Sequence, residues 1–386
     1  MFGLIFRNEW EKIWARKKFL FIAGTLVIIL ATVGFAWRTE QSMLQQLSAQ
    51  SPAASIAQAI QQTKAQLKTA SAKQKPLLRQ QLAQQEAAQV QIEQSTPQTG
   101  TMRTASDLKR LSQASGSGPN AGQSALLIAL DHYRLAHGIT RFNTARDSGL
   151  RLLGLVFSGP AVIMFAMMVV GFSNDTVSGE RQDHTIPFLF LHGFQRGRIL
   201  AAKVLATSAL VALQALASAV GIFALASIVM GVGPAYAPHA LGIRMQTSKN
   251  SFAGAPPTVL PVAAQHFFIV SQWQYDIAAV LLAILGLAAL VVIMTGISLL
   301  SRTVSMSAFL CTILLISTGF WHLLAGSAVI GLDPMVDFNL MAAWNGQTAL
   351  QSGVAGLGLV WAFAVMALWV VAVGWLSVVR FRRIEP

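Results

Sequence analysis

The sequence is short of charge. Asp, Glu, Lys and Arg make up 11% of its 386 residues, where an ordinary soluble domain carries about a quarter. That deficit excludes a chain that keeps its whole surface in water. Acidic residues are the scarcer sign, 15 against 28 Lys and Arg, for a net charge of +13. Excess positive charge suits nucleic acid, but no basic stretch is interleaved with stacking aromatics, so nucleic acid is set aside as a partner. Cations also gather at the ends of membrane spans, beside anionic lipid, and that reading fits. A single cysteine, Cys311, lies inside an apolar run. It excludes an intrachain disulfide and a cysteine metal cluster, and no metal-binding set is expected. Also absent is a phosphate loop of the form Gly-x-x-x-x-Gly-Lys-Ser/Thr. The nearest stretch, 116–124, lacks the lysine and the spacing.

What the sequence does have is long uncharged apolar runs; 54% of its residues are hydrophobic. A helix needs roughly 20 apolar residues to cross the hydrocarbon layer, and six runs reach that length or fall one residue short. They predict an all-α polytopic membrane protein with six transmembrane helices, over 19–37, 148–172, 199–231, 273–300, 306–328 and 354–379. Gly159-Pro160 predicts a kink in the second. The first run exceeds a signal-peptide core and ends without a small-residue cleavage pattern, so it is read as a span. The uncharged stretch of the fifth continues to Leu332, so 329–353 is expected to be extracytoplasmic or re-entrant.

Residues 1–18 read as a cytosolic, interfacial amphipathic helix. Phe6, Trp10, Ile13 and Trp14 share one side; Arg7, Asn8, Glu11, Lys12 and Arg16 cover the other. Trp10, Trp14, Arg16, Lys17 and Lys18 are its expected anchors to membrane lipid, with packing on protein as the alternative. Lys and Arg concentrate here, in the loop 173–198 and the start of the next span (Arg181, Arg196, Arg198, Lys203), in the turn 301–305 (Arg302) and in the tail 380–386. By the bias of short cationic loops, the N and C termini are both cytosolic. The segment 38–147 is then a large extracytoplasmic loop. It is rich in Gln and Ala and broken by Pro52, Pro76 and Pro97, and reads as a helical hairpin or, alternatively, a disordered tether. A further short helix is expected over 123–137. The outer loop 232–272 is rich in Gly and Pro and reads as irregular.

The loop 173–198 carries the most information. It begins with Ser178-Gly179-Glu180-Arg181, then Asp183, His184 and Thr185, then an apolar piece from Ile186 to Leu191 that includes Phe188. A basic return through Arg196, Arg198 and Lys203 follows. Such an element lies at the membrane surface, turns its polar part to the cytosol and can pass force from a soluble partner into two spans. The pattern resembles the permease subunits of ABC transporters of the ABC-2 type, which have a Gly-Glu pair, a small-residue-Thr step, a short apolar segment and an Arg-containing return ending in Lys. His184 stands where those permeases often have Gly, and Pro187 interrupts the apolar segment. The resemblance implies a permease, and an exporter, with no enzymatic activity of its own. It implies a separate ABC ATP-binding subunit in two copies, which holds ATP and Mg while this chain binds no cofactor. It also implies a second permease copy or a related permease, in the cytoplasmic membrane of a bacterium. Ser178, Gly179, Glu180, Arg181, Asp183, His184, Thr185 and Phe188 would be the coupling residues.

The sequence leaves two other classes open. An intramembrane hydrolase needs a nucleophile and a base at matching depth, and Ser158 with His322 is the one pairing the sequence offers. A transporter driven by an ion gradient needs ionisable groups in mid-membrane, and the apolar runs are nearly free of acids. His322, beside Trp321, is a candidate pathway residue. Asp276 reads as an interfacial group, and Asp333 and Asp337 as a solvated turn.

Overall fold

The computed structural model describes residues 2–15, 24, 27, 29–39, 63, 121–139, 148–185, 195–248, 258–261, 267–324 and 330–383. Most of 38–147, the apolar segment with Phe188, and Arg16, Lys17 and Lys18 lie outside them. The helix α1 (Phe2–Ala15) precedes a helical stretch over 29–39, and α2 (Ala121–Ala136) follows. The second run forms α3 (Gly149–Ser158) and α4 (Ile163–Ser173), separated by a 3-10 turn at Pro160–Val162. Then come α5 (Ser178–Gln182), α6 (Arg196–Met230), α7 (Gln272–Leu300) and α8 (Val304–Leu324). Three short helices, α9 (Pro334–Asp337), α10 (Leu340–Trp344) and α11 (Gln347–Ser352), lead into α12 (Leu359–Arg382).

Among the described residues, α6, α7 and α12 are each long and apolar enough to cross a membrane, and the bent α3–α4 segment makes a fourth if taken as one span. The chain is therefore a multi-pass helical membrane protein. At 35 residues, α6 is about 52 Å long, well beyond the roughly 30 Å hydrocarbon core. Its first turns, with Arg196 and Arg198, lie where the sequence suggested loop.

The centre of the bundle is α7, which touches α3, α4, α6, α8, α10 and α12. Its core positions, Ala279, Ala283, Leu287, Leu290, Val291 and Met294, are buried. The kink between α3 and α4 is bridged from outside. A proline cannot donate to the helix ladder, and at the break the carbonyls of Ser158 and Gly159 accept from Asn339 Nδ2 at 2.9 and 3.3 Å. Phe157 and Phe165 stack across the break, ring centroids 5.1 Å apart.

The structure departs from the sequence reading in two places. The loop 232–272 is not wholly irregular, and the chain is not strictly all-α. Strand β1 (Pro238–Leu241) pairs antiparallel with β4 (Phe268–Ser271), and β2 (Met245–Ser248) with β3 (Thr258–Pro261). Each is four residues long, too short for alternation to show against Gly and Pro. The helix α2 packs on β1, β3 and β4. The second departure is at Asp333 and Asp337, which are buried rather than in a solvated turn; Asp276, near the start of α7, is buried against protein as well. Asp333 caps α9 by accepting from the Met335 amide at 2.9 Å and takes the Ser317 hydroxyl at 2.8 Å. The sequence shows a Pro between two acids, which reads as a turn; only packing of 330–352 onto α7, α8 and α12 encloses it.

Candidate coupling site

Helix α5 carries the Ser-Gly-Glu-Arg segment, and the structure splits the candidate residues by side. Ser178, Gly179 and Glu180 are buried, Arg181 is half-buried, and Asp183, His184 and Thr185 are exposed. The polar segment that the sequence turned wholly toward the cytosol thus has its first half inside the protein. Phe188 lies outside the described residues.

Glu180 faces inward because cations meet it there. Its Oε1 receives Lys203 Nζ of α6 at 2.7 Å and Lys12 Nζ of α1 at 2.8 Å. Glu9 of α1 closes the ring, holding Lys12 at 3.0 Å and Lys203 at 2.9 Å. Each cation sits between two carboxylates and each carboxylate between two cations, so four charges sum to zero. Lys203 is 1% exposed, and a buried charge without such partners would be untenable. Burial opposes the charge on Lys12, but Glu180 and Glu9 outweigh it and hold its pKa above the ordinary lysine value.

The backbone of α5 is clamped from the other side by the end of α7. Ser298 Oγ accepts from the amides of Val177 and Ser178 at 3.2 and 3.1 Å and donates to the Asn174 carbonyl at 2.9 Å. Ser178 Oγ donates to the same carbonyl at 2.6 Å. Arg181 Nη1 donates to the Ser301 carbonyl at 3.2 Å. Beneath lies a small apolar cluster of Val177, Ile199, Leu200, Leu299 and Phe381. At the outward edge the Thr185 hydroxyl donates back to the Glu180 carbonyl at 3.2 Å, and His184 adopts a positive φ of 54°. Substituting Ser298→Ala leaves two buried amides unpartnered. The expected loss is about 1–3 kcal/mol, read as a lower unfolding temperature of the purified protein; an unchanged temperature would show that the clamp carries no stability.

The N-terminal helix is set by the same ring. Phe6 and Trp10 stack, 6.2 Å between centroids, and both pack against the helical core. Trp10, expected as a membrane anchor, thus packs against protein. The Trp14 side chain is outside the described part, while Arg7 and Glu11, paired at 2.9 Å, face solvent. Nothing in the spacing of 1–18 could reveal this, because the partner of Glu9 is 194 residues away.

The hydrolase pairing finds no support at Ser158. Its hydroxyl is buried and donates to the Gly154 carbonyl of its own helix at 2.7 Å. His322 belongs to α8, its side chain outside the described part. The opposite end of the bundle holds a polar chain that the sequence did not suggest. There His239 Nε2 meets Gln272 Oε1 at 2.5 Å, and Gln272 Nε2 donates to Asp276 Oδ1 at 2.7 Å. Burial holds His239 below the ordinary histidine range.

These features define a multi-pass membrane protein in which the short helix α5, between two apolar helices, is held by α1, α6 and the end of α7 at once. The profile of one family, described as ABC-2 family transporter protein, matches residues 4–385. The chain belongs to that family, and is thereby the permease component of an ABC transporter, the kind that works with an ABC ATP-binding subunit. No curated protein matches the sequence.

Proposed function

We propose that this chain is the permease of an ATP-driven exporter, with six spans at the boundaries given above and both termini cytosolic. In this reading two permeases, identical or related, form the path. Two ATP-binding subunits holding ATP and Mg dock on the exposed face of 182–185 and the apolar segment that follows it. The observation that carries the reading is the charge ring of Glu9, Lys12, Glu180 and Lys203. Through it and the Ser298 clamp, a push on α5 reaches α1, α6 and α7 together, which is what transmission from a soluble motor into a membrane bundle requires. Ser178, Gly179 and Glu180 then act as the rigid root of the coupling element. Asp183, His184 and Thr185 act as its contact surface. The location follows from the same reading: a cell membrane, bacterial by resemblance.

The test is recovery of partners with the tagged full chain in mild detergent, followed by mass spectrometry. An ATPase should be recovered in stoichiometric amount. Asp183→Arg should reduce that recovery severalfold while the permease elutes as a single species, because the change lies on the exposed side. A chain isolated alone under several gentle conditions would overturn the reading. A gradient-driven transporter is the second reading, favoured by one observation: Asp276 Oδ2 and both carboxylate oxygens of Asp337 are buried without a hydrogen-bond partner. An uncoupler that collapses the ion gradient would stop transport in that case and leave ATP-driven transport running.

A further inference from the structure

A groove of about 590 Å³ runs between the helix over 29–39 and the segment formed by α3 and α4. Val27, Ala31 and Phe35 recur every four residues along one wall, and Leu155 and Met164 form part of the other. Val27, Phe35, Leu155 and Met164 are all exposed. The groove therefore opens outward from the bundle, toward the lipid in a membrane-embedded chain.

Among the described residues lining it, one is charged. Arg151, in the first turn of α3, stands at the end of the groove away from the Glu180 ring. A guanidinium beside hydrocarbon is stabilised by each anion that meets it. With five donors in a planar fork it can serve a neighbour in the protein and still grip two oxygens of a phosphate. Thr39, at the same end, donates its hydroxyl proton to the Ala36 carbonyl at 2.8 Å, so that proton is already used within the protein. Arg38, in the last described turn of the same helix, is exposed and adds a second positive charge near this end.

The occupant that matches both features is apolar along most of its length and anionic at one tip. A free anion would gain nothing from the apolar walls, and a zwitterionic lipid would bring its own cation up against Arg151 and Arg38. We propose that this groove is a binding site for a phospholipid with an anionic headgroup, its acyl chain lying between Phe35 and Leu155 and its phosphate on Arg151. The site does not depend on the ATP-binding partner, so its test stands or falls separately from the permease reading.

The experiment is native mass spectrometry of the purified full-length chain, titrated with phosphatidylglycerol and phosphatidylcholine of matched acyl chains. Phosphatidylglycerol should be retained in roughly tenfold preference, the scale of one charged hydrogen-bonded contact. Arg151→Gln should bring the two lipids to parity, and Arg151→Lys should keep part of the preference. Ala31→Trp, which fills the groove, should lower retention of both. Equal retention by the unaltered protein overturns the proposal, and that comparison needs no variant to fold. A preference that survives Arg151→Gln overturns it too. So does Ala31→Trp changing the oligomeric state with no change in retained lipid, which would assign the groove to a second copy of the chain.

Discussion

Lys203→Met is expected to destabilise the protein by about 3–5 kcal/mol, the cost of removing one partner from a buried ion pair. The methionine fills a similar volume, so packing changes little. Two carboxylates, Glu9 and Glu180, would then share Lys12 alone, and Lys12 is 32% exposed. A loss below about 1 kcal/mol, the value of an exposed pair, would mean that the ring is solvated in the working protein. The companion variant separates charge from packing. Glu9→Gln together with Lys203→Met removes one charge of each sign and leaves Lys12 with Glu180, so it should be less damaging than the sum of the two single changes. Additive losses would show that the four groups are not coupled. Both stability measurements are made without a partner. ATPase stimulation measured with the partner present should fall further than stability does, if the ring transmits force.

Gly286→Val is expected to abolish the folded bundle, and Gly286→Ala to destabilise it by at least the roughly 1–3 kcal/mol of an overpacked core. A Cβ at Gly286 would stand 2.0 Å from the carbonyl oxygen of Phe338 and 3.1 Å from its carbon. The obstacle is backbone, which has no rotamer to change, so α7 and the α9–α10 junction would have to separate. That junction carries Asn339, which bridges the break in α3–α4, so the disturbance reaches a third element. Gly374→Ala is the control, since its new Cβ would meet only Val292 Cγ1 at an ordinary 3.9 Å. It should be neutral or gain up to about 1 kcal/mol from helix propensity. Comparable losses at the two positions would show that the α7 contact is not the tight one. Expression level and unfolding temperature in detergent read both outcomes.

Much of the architecture was legible one segment at a time. The uncharged runs give α6, α7 and α12, because a span must be apolar along its whole length whatever surrounds it. Gly159-Pro160 gives the break between α3 and α4, since a missing amide is a local property. The family showed itself in Ser178 to Arg181 and the return to Lys203, again a local pattern. The expected helix over 123–137 corresponds to α2. The four strands were hidden because four residues do not establish a period, and the ladder that makes them strands joins segments up to about thirty residues apart.

The sequence alone determined that this chain lies in a membrane, roughly where α6, α7 and α12 run and which loop is distinctive, because hydropathy and short motifs are written in consecutive residues. Only the tertiary structure decided what that loop does with its charges. Glu180 is an acid in a polar loop until α1 and α6 bring Lys12 and Lys203 to it, and Lys203 is a cation at the start of a span until Glu9 arrives from 194 residues earlier in the chain. Asp337 likewise changes from a turn residue to a buried carboxylate through packing alone. A charge is defined in the sequence, but its free energy depends on what replaces its water, and in a folded chain those groups come from anywhere along it.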